Sequence, residues 1–389
     1  MKKILISLFL VIQFISIIGC QQKKSKASLS TTQNNNPKID SLFKAHYLQN
    51  LFHGGVVITQ KGKTIYENYL GVADRSWNTL IKKDVKFDIA SVNKSMIAAL
   101  VLKAVEEGKL RLDDKLVDLL SDFSYEGSFH SEITLHHMLS HSSGLPNYNN
   151  IDKKLRQNNF LTFKRLRFTN ESYINFISKI KPVNKPDQQF YYSNFAYHLV
   201  SIILEQTYKK PFGKILQEKL TIPLGLKNTI SESKNEVVIS QLAKAYNYQE
   251  ETGKWHQNLF MDLSLGRRIF STASDLNRWG QVMDNPGWLT KKSLNLMKQN
   301  QQKEINKKYS YGYGWVVFDE ENKSEMGNLE ISQPYIIHGG STEGYKAMLI
   351  NINNGEYVIS FLSNIGNKTQ EMQLAQKIVN ILINKGIEQ

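Results

Sequence analysis

The chain predicts an α+β fold: an antiparallel sheet flanked by N- and C-terminal helices, with an inserted, mostly helical lobe. Three observations lead there. Two short apolar runs, 55–60 and 64–69, surround Lys61-Gly62-Lys63 near the start, and four more strand-like runs gather after Tyr311. Between about Leu112 and Trp288 the pattern is helical and loop-like, punctuated by Pro146, Pro182, Pro186, Pro211, Pro223 and Pro286. Short turns such as Asn353-Asn354-Gly355 favour antiparallel pairing.

The elements follow in order. A helix is expected over 39–51, with Leu42, Phe43, Tyr47 and Leu51 on one side. The hairpin of 55–60 and 64–69 comes next. A second helix begins near Ser91, carries Met96, Ile97, Leu100, Val101, Ala104 and Val105 at helical spacing, and stops at Gly108. After the helical insertion, strands are expected at 313–318, 335–338, 346–352 and 357–362, most of them rich in β-branched or aromatic residues. An amphipathic helix over 369–384 closes the chain.

The front end reads as targeting. Lys2 and Lys3 precede an apolar stretch, 4–18, too short to span a bilayer comfortably, and it ends in Ile17-Ile18-Gly19-Cys20. This resembles a bacterial lipobox, which implies cleavage before Cys20 and its lipidation. Acyl chains would then tether the protein to a membrane without spanning it. The expected organisation is a signal peptide over 1–19, a lipidated cysteine and flexible polar linker over 20–38, and one domain over 39–386. Within that domain the sheet lobe takes 39–110 and 300–386 and the helical lobe 111–299.

Cys20 is the only cysteine in 389 residues, so an intramolecular disulfide, a redox CxxC pair and a multi-cysteine zinc site are excluded. The net charge is +14, to which Lys2 and Lys3 contribute two. The lysines are scattered and no nucleic-acid motif accompanies them, so the charge suits an anionic envelope surface and no nucleic-acid partner is expected.

The residues that carry chemistry start with Ser91-Val92-Asn93-Lys94. A hydroxyl and an amine three residues apart share a helical face, where the amine can reach the hydroxyl. Serine is a poor nucleophile unless a neighbouring base takes its proton, and burial lowers a lysine's pKa into that role. Free backbone N–H groups at the helix start can bind a developing negative charge. Ser-x-x-Lys also begins at Ser41, Ser178 and Ser231, so the pattern alone does not single out Ser91. Tyr192-Ser193-Asn194 and His338-Gly339-Gly340-Ser341 are the other candidate segments; Tyr-x-Asn recurs at Tyr66, Tyr148 and Tyr173.

Ser-x-x-Lys, Tyr-x-Asn and His-x-Gly in this order resemble the serine β-lactamase and penicillin-binding-protein superfamily, most closely its class C-like branch of DD-peptidases, D-aminopeptidases and esterases. Four more segments match it: Phe52 to Ile58, Met138 to Pro146, Phe270 to Leu276, and Tyr311-Gly312-Tyr313-Gly314-Trp315. No single piece identifies the family; seven in its order do.

The resemblance implies an acyl-enzyme at Ser91, proton work shared by Lys94 and Tyr192, and substrate side-chain binding by Asn194. It implies an oxyanion hole from the N–H groups of Ser91 and Ser341, with Gly340 leaving room for substrate. His338 stands where β-lactamases usually place lysine; a part-charged histidine suits a substrate carboxylate less well than a lasting cation.

The expected function is a membrane-anchored serine hydrolase of the bacterial envelope, facing the periplasm or exterior. It would act on esters or D-amino-acid amides and peptides, cell-wall peptides among them, with no metal or organic cofactor. The alternatives are a catalytically silent binder of cell-wall peptides, a true β-lactamase or DD-carboxypeptidase, and a metallohydrolase built on His137 and His141. Thr272-x-x-Asp275 reads as a helix cap.

Overall fold

The structure, a computed structural model, describes residues 31–383 apart from 35, 158–161, 164–165, 233, 235, 259–266, 303, 306–307 and 343. The expected signal segment and Cys20 lie outside the described residues. Strands are β1 (Thr31–Asn34), β2 (Gly54–Gln60), β3 (Lys63–Leu70), β4 (Val72–Asp74), β5 (Thr79–Leu80), β6 (Phe87–Asp88), β7 (Ile230–Ser231), β8 (Tyr246–Gln249), β9 (Lys254–Gln257), β10 (Ile269–Ser271), β11 (Val316–Phe318), β12 (Tyr335–Thr342), β13 (Tyr345–Ile352) and β14 (Tyr357–Ser363). Helices are α1 (Pro37–Leu48), α2 (Asn93–Glu106), α3 (Leu116–Leu119), α4 (Leu135–Leu139), α5 (Asn170–Ser178), α6 (Asn194–Tyr208), α7 (Phe212–Leu216), α8 (Ala273–Val282), α9 (Lys291–Lys298) and α10 (Glu371–Ile383).

The main sheet is antiparallel, in the order β1-β3-β2-β14-β13-β12-β11. Both faces of its central strands are covered, and the period of two sorts their side chains. In β2 and β14, Val56, Ile58, Ile359 and Phe361 join Ile39 and Phe43 of α1 and Leu374, Ile378 and Val379 of α10 in one core. Val57, Val358 and Leu362 face the other way, onto Ala273, Leu276 and Trp279 of α8 and the buried side of α2. The register sets Ile359 opposite Ile58 and Phe361 opposite Val56. Among the described residues, no helix is long and apolar enough to cross a membrane.

Several expectations need correcting. The segment read as a linker contributes an edge strand: Thr31 pairs with Asn68 and Thr32 with Glu67, and α1 starts at Pro37, capped by the Asn36 side-chain Oδ1, which accepts Ile39 N at 3.1 Å. A polar edge strand needs only backbone pairing, so it leaves no apolar alternation to read.

The expected helical stretch also holds β7 to β10; β8 and β9 form a hairpin, and β10 pairs with β6 and β7. The strand expected from 313 starts at Val316, because Gly314 turns at φ +76° and packs so close to helix α2 that a Cβ there would lie 2.5 Å from Ser95 Cα. Strand β12 runs on to Thr342, so His338 sits within a strand and not at its end.

Candidate active site

Ser91 lies in a 3-10 turn, Ala90–Val92, that leads directly into α2. The turn is held from below. Ala90 has φ +46°, a left-handed conformation costly for a residue with a Cβ, and the Asp88 carboxylate accepts its N–H at 2.7 Å. The other Asp88 oxygen pairs with Arg268, and both side chains are buried. Ile89 N donates to Ile269 O at 3.1 Å. The small sheet that sequence patterning did not reveal therefore braces the Ser91 turn.

Lys94 is one helical turn on. Its ammonium nitrogen lies 3.3 Å from Ser91 Oγ and 2.8 Å from Asn194 Oδ1, and 5.0 Å from the centre of the Tyr192 ring. The side chain is buried, and neither of those oxygen partners is a carboxylate. Burial alone brings its pKa down to about 7. The Tyr192 hydroxyl bonds to Ser91; burial pushes the phenol up, against the opposing pull of that bond, and keeps it protonated at neutral pH. Ser91, Lys94, Tyr192 and Asn194 are thus brought together from α2 and the start of α6.

Asn194 is the first residue of α6, not its cap. Ser193 caps the helix, accepting Ala196 N at 3.0 Å. Asn147, which sequence reasoning missed, fixes the Asn194 amide: its Oδ1 accepts Asn194 N and Nδ2, both at 3.2 Å, and its Nδ2 donates to Tyr192 O at 3.0 Å. Only its place after Gly144-Leu145-Pro146 could have drawn attention to it.

Gly340 lets β12 close on the Ser91 turn: a Cβ there would lie 2.4 Å from Ile89 O and 3.2 Å from Ala90 Cβ. Ser341, the next residue of β12, is exposed.

His338 is buried, and burial, helped by Lys94, lowers its pKa to about 3. Its Nδ1–H faces Gly339 O at 2.7 Å and its Nε2 the Tyr311 hydroxyl at 3.1 Å. It is a neutral ring with both nitrogens engaged, and not the part-charged cation expected.

The remaining candidates, His137, His141 and Thr272, each accept a backbone N–H. His137 reads as a capping residue, its Nδ1 accepting Thr134 N at 3.0 Å and its Nε2 2.9 Å from Asp187 Oδ2. His141 Nδ1 accepts Ser193 N, so the two histidines do not form a metal pair. No group of three or more metal-ligating side chains occurs among the described residues. Thr272 caps α8, accepting Asp275 N at 3.2 Å. A cavity of about 670 Å³ lined by Phe212, Ile222, Leu226 and Ile230 includes none of the expected site residues.

Known proteins resemble this chain in sequence and in fold. A family model described as Beta-lactamase matches residues 40–381. Penicillin-binding protein 4* of Bacillus subtilis (strain 168) is 23% identical over 365 residues, covering 89% of this chain and 75% of that protein. In solved structures, EstCE1, a hydrolase with promiscuous acyltransferase activity, superposes with TM-score 0.72 at 18% identity, over 89% of this chain and 97% of that one. The D-amino acid amidase from Ochrobactrum anthropi SV3, complexed with L-phenylalanine amide, gives TM-score 0.72 at 19% identity, over 89% and 98%.

Proposed function

The chain belongs to the beta-lactamase family of serine hydrolases, and from that premise we propose that it hydrolyses esters or D-amino-acid amides through an acyl-enzyme at Ser91. The observation that carries this reading is the Lys94 amine 3.3 Å from Ser91 Oγ, in a burial that leaves much of it unprotonated near pH 7. Ser91 Oγ attacks the substrate carbonyl and its proton passes to Lys94. The N–H groups of Ser91 and Ser341 hold the oxyanion; such donors are each worth about two to three orders of magnitude in rate. Tyr192, a neutral phenol bonded to Ser91, hands a proton to the leaving alcohol or amine and is reprotonated from Lys94. Water then repeats the sequence on the Ser91 ester and releases the acid.

The neutral His338 favours esters and amides over β-lactams and peptides ending in a free carboxylate, because it supplies no cation for that group. The names of a hydrolase with acyltransferase activity and a D-amino acid amidase among the fold relatives support the same substrate classes. Ile17-Ile18-Gly19-Cys20 supports a lipid anchor in a bacterial envelope, and a Cys20→Ala chain found in the soluble fraction would agree with it.

The test is a panel of nitrophenyl esters, D-amino-acid amides, nitrocefin and D-Ala-D-Ala peptides, with a fluorophosphonate probe. Ser91→Ala should lose turnover and the covalent mass shift while keeping its fold. Hydrolysis unchanged by that substitution would refute the assignment. A protein that binds cell-wall peptides but takes no label would be a silent binder.

A further inference from the structure

His141 is fully buried, yet the roles above leave it unused. It holds the Tyr192 segment at three points. Its carbonyl accepts Tyr191 N at 2.8 Å, its Nδ1 accepts Ser193 N at 3.1 Å, and its ring lies on Tyr192, with centres 4.2 Å apart and planes inclined at 36°. The residue before Tyr192, the residue after it and its own ring are therefore all fixed by one side chain and its backbone.

Two costs accompany this arrangement. His141 has φ +60°, a left-handed conformation that costs a residue with a Cβ, though histidine, asparagine and aspartate adopt it more readily than most. Because a backbone N–H can only donate, Nδ1 must be the acceptor and the ring proton sits on Nε2, which is buried without a partner among the described residues. Phenylalanine would fill the same aromatic pocket of Phe190, Tyr197 and Tyr311 without a stranded donor. Asparagine would suit the backbone and supply the acceptor, but would not stack on Tyr192. Imidazole combines the acceptor with the flat surface.

We propose that His141 is a positioning residue that sets the tyrosine of the acylation site, by tying the backbone at residue 193 and bracing the Tyr192 ring. The proposal rests on the acyl-enzyme reading above. His141 is fully buried and so out of a substrate's reach, and its loss should appear in kcat while KM stays within about threefold.

The informative pair is His141→Asn and His141→Gln in the full chain. Asparagine Oδ1 falls where Nδ1 was; glutamine reaches the Nε2 position and leaves Ser193 N without its acceptor. Acylation rates are read as the covalent mass shift at Ser91 with a fluorophosphonate, which counts folded protein only, and kcat and KM with a nitrophenyl ester. The expected result is an asparagine variant within about tenfold of the parent and a glutamine variant at least tenfold slower again, since misplacing a reacting group by about 1 Å can cost ~10²-fold.

Equal rates for the two variants, or a loss confined to KM, would overturn the role of His141. A parent protein that takes no label would instead overturn the acyl-enzyme reading, and this proposal with it. Should the glutamine variant not fold, His141→Phe, which keeps the ring and removes the acceptor, decides by the same tenfold criterion.

Discussion

The Lys94 amine is closer to Asn194 Oδ1, at 2.8 Å, than to Ser91 Oγ, at 3.3 Å. The amide, not the nucleophile, anchors the amine. One N–H is given to Asn194, which aims the rest of the group at Ser91. The same contact fixes the amide's orientation, since an ammonium can only donate and must meet the oxygen.

The first prediction concerns pH. Burial places the Lys94 pKa at about 7, and the amine must be unprotonated to take the Ser91 proton. The kcat/KM profile should therefore rise with pH through an apparent pKa near 7 and flatten above it. A profile already flat from pH 5 upward, measured with a neutral ester so that the substrate does not titrate, would exclude Lys94 as the base.

Lys94→Met should abolish acylation and stabilise the protein. The folded pKa of about 7 lies below the ordinary 10.5, so the folded state holds this proton more weakly than the unfolded state. The penalty is full below pH 7 and fades as pH rises from 7 towards 10.5. Thermal unfolding of Lys94→Met should exceed that of the parent most at pH 6, by on the order of a few kcal/mol, and the gap should narrow by pH 9. A gap that does not change with pH would mean that Lys94 is not titrating in the folded protein.

The fold's long elements were legible because both periodicities are clean: 55–60 and 357–362 differ by a residue or so from β2 and β14, and the run from Met96 to Val105 lies within α2. The β8–β9 hairpin was not, since Tyr246-Asn247-Tyr248-Gln249 and Lys254-Trp255-His256-Gln257 mix aromatic and polar side chains without a clean inward face. Strands β6, β7 and β10 have two or three residues each, too few for any period. In the site, Ser91, Lys94, Tyr192 and Asn194 were readable from motif order. Asp88, Arg268 and Asn147 were not, because an ion pair 180 positions apart and an amide clamp depend on how loops meet and leave no local pattern.

Gly340→Ala separates two explanations of that glycine. Its added Cβ would fall 2.4 Å from Ile89 O, between a strand and a braced turn that cannot easily move apart. The variant should lose about 1–3 kcal/mol of stability, as overpacking typically costs, and much of its kcat. If the glycine only cleared space for substrate, KM would rise and thermal unfolding would be unchanged.

Asn147 offers the sharpest test of how the amide and the amine are coupled. Asn147→Ala removes the acceptor for Asn194 N and Nδ2 and the donor to Tyr192 O. The Asn194 amide is then oriented by Lys94 alone, and kcat/KM should fall by about one to two orders of magnitude, the scale of a misplaced reacting group. Asn147→Asp retains an acceptor and adds a negative charge one amide away from Lys94. That charge favours the ammonium and raises the Lys94 pKa, so the rising limb of the pH profile should move upward from about 7. At pH 9, where both proteins hold Lys94 largely unprotonated, Asn147→Asp should recover towards the parent rate while Asn147→Ala does not. Rates for the aspartate variant that stay equally depressed at every pH would show that the clamp acts on geometry alone.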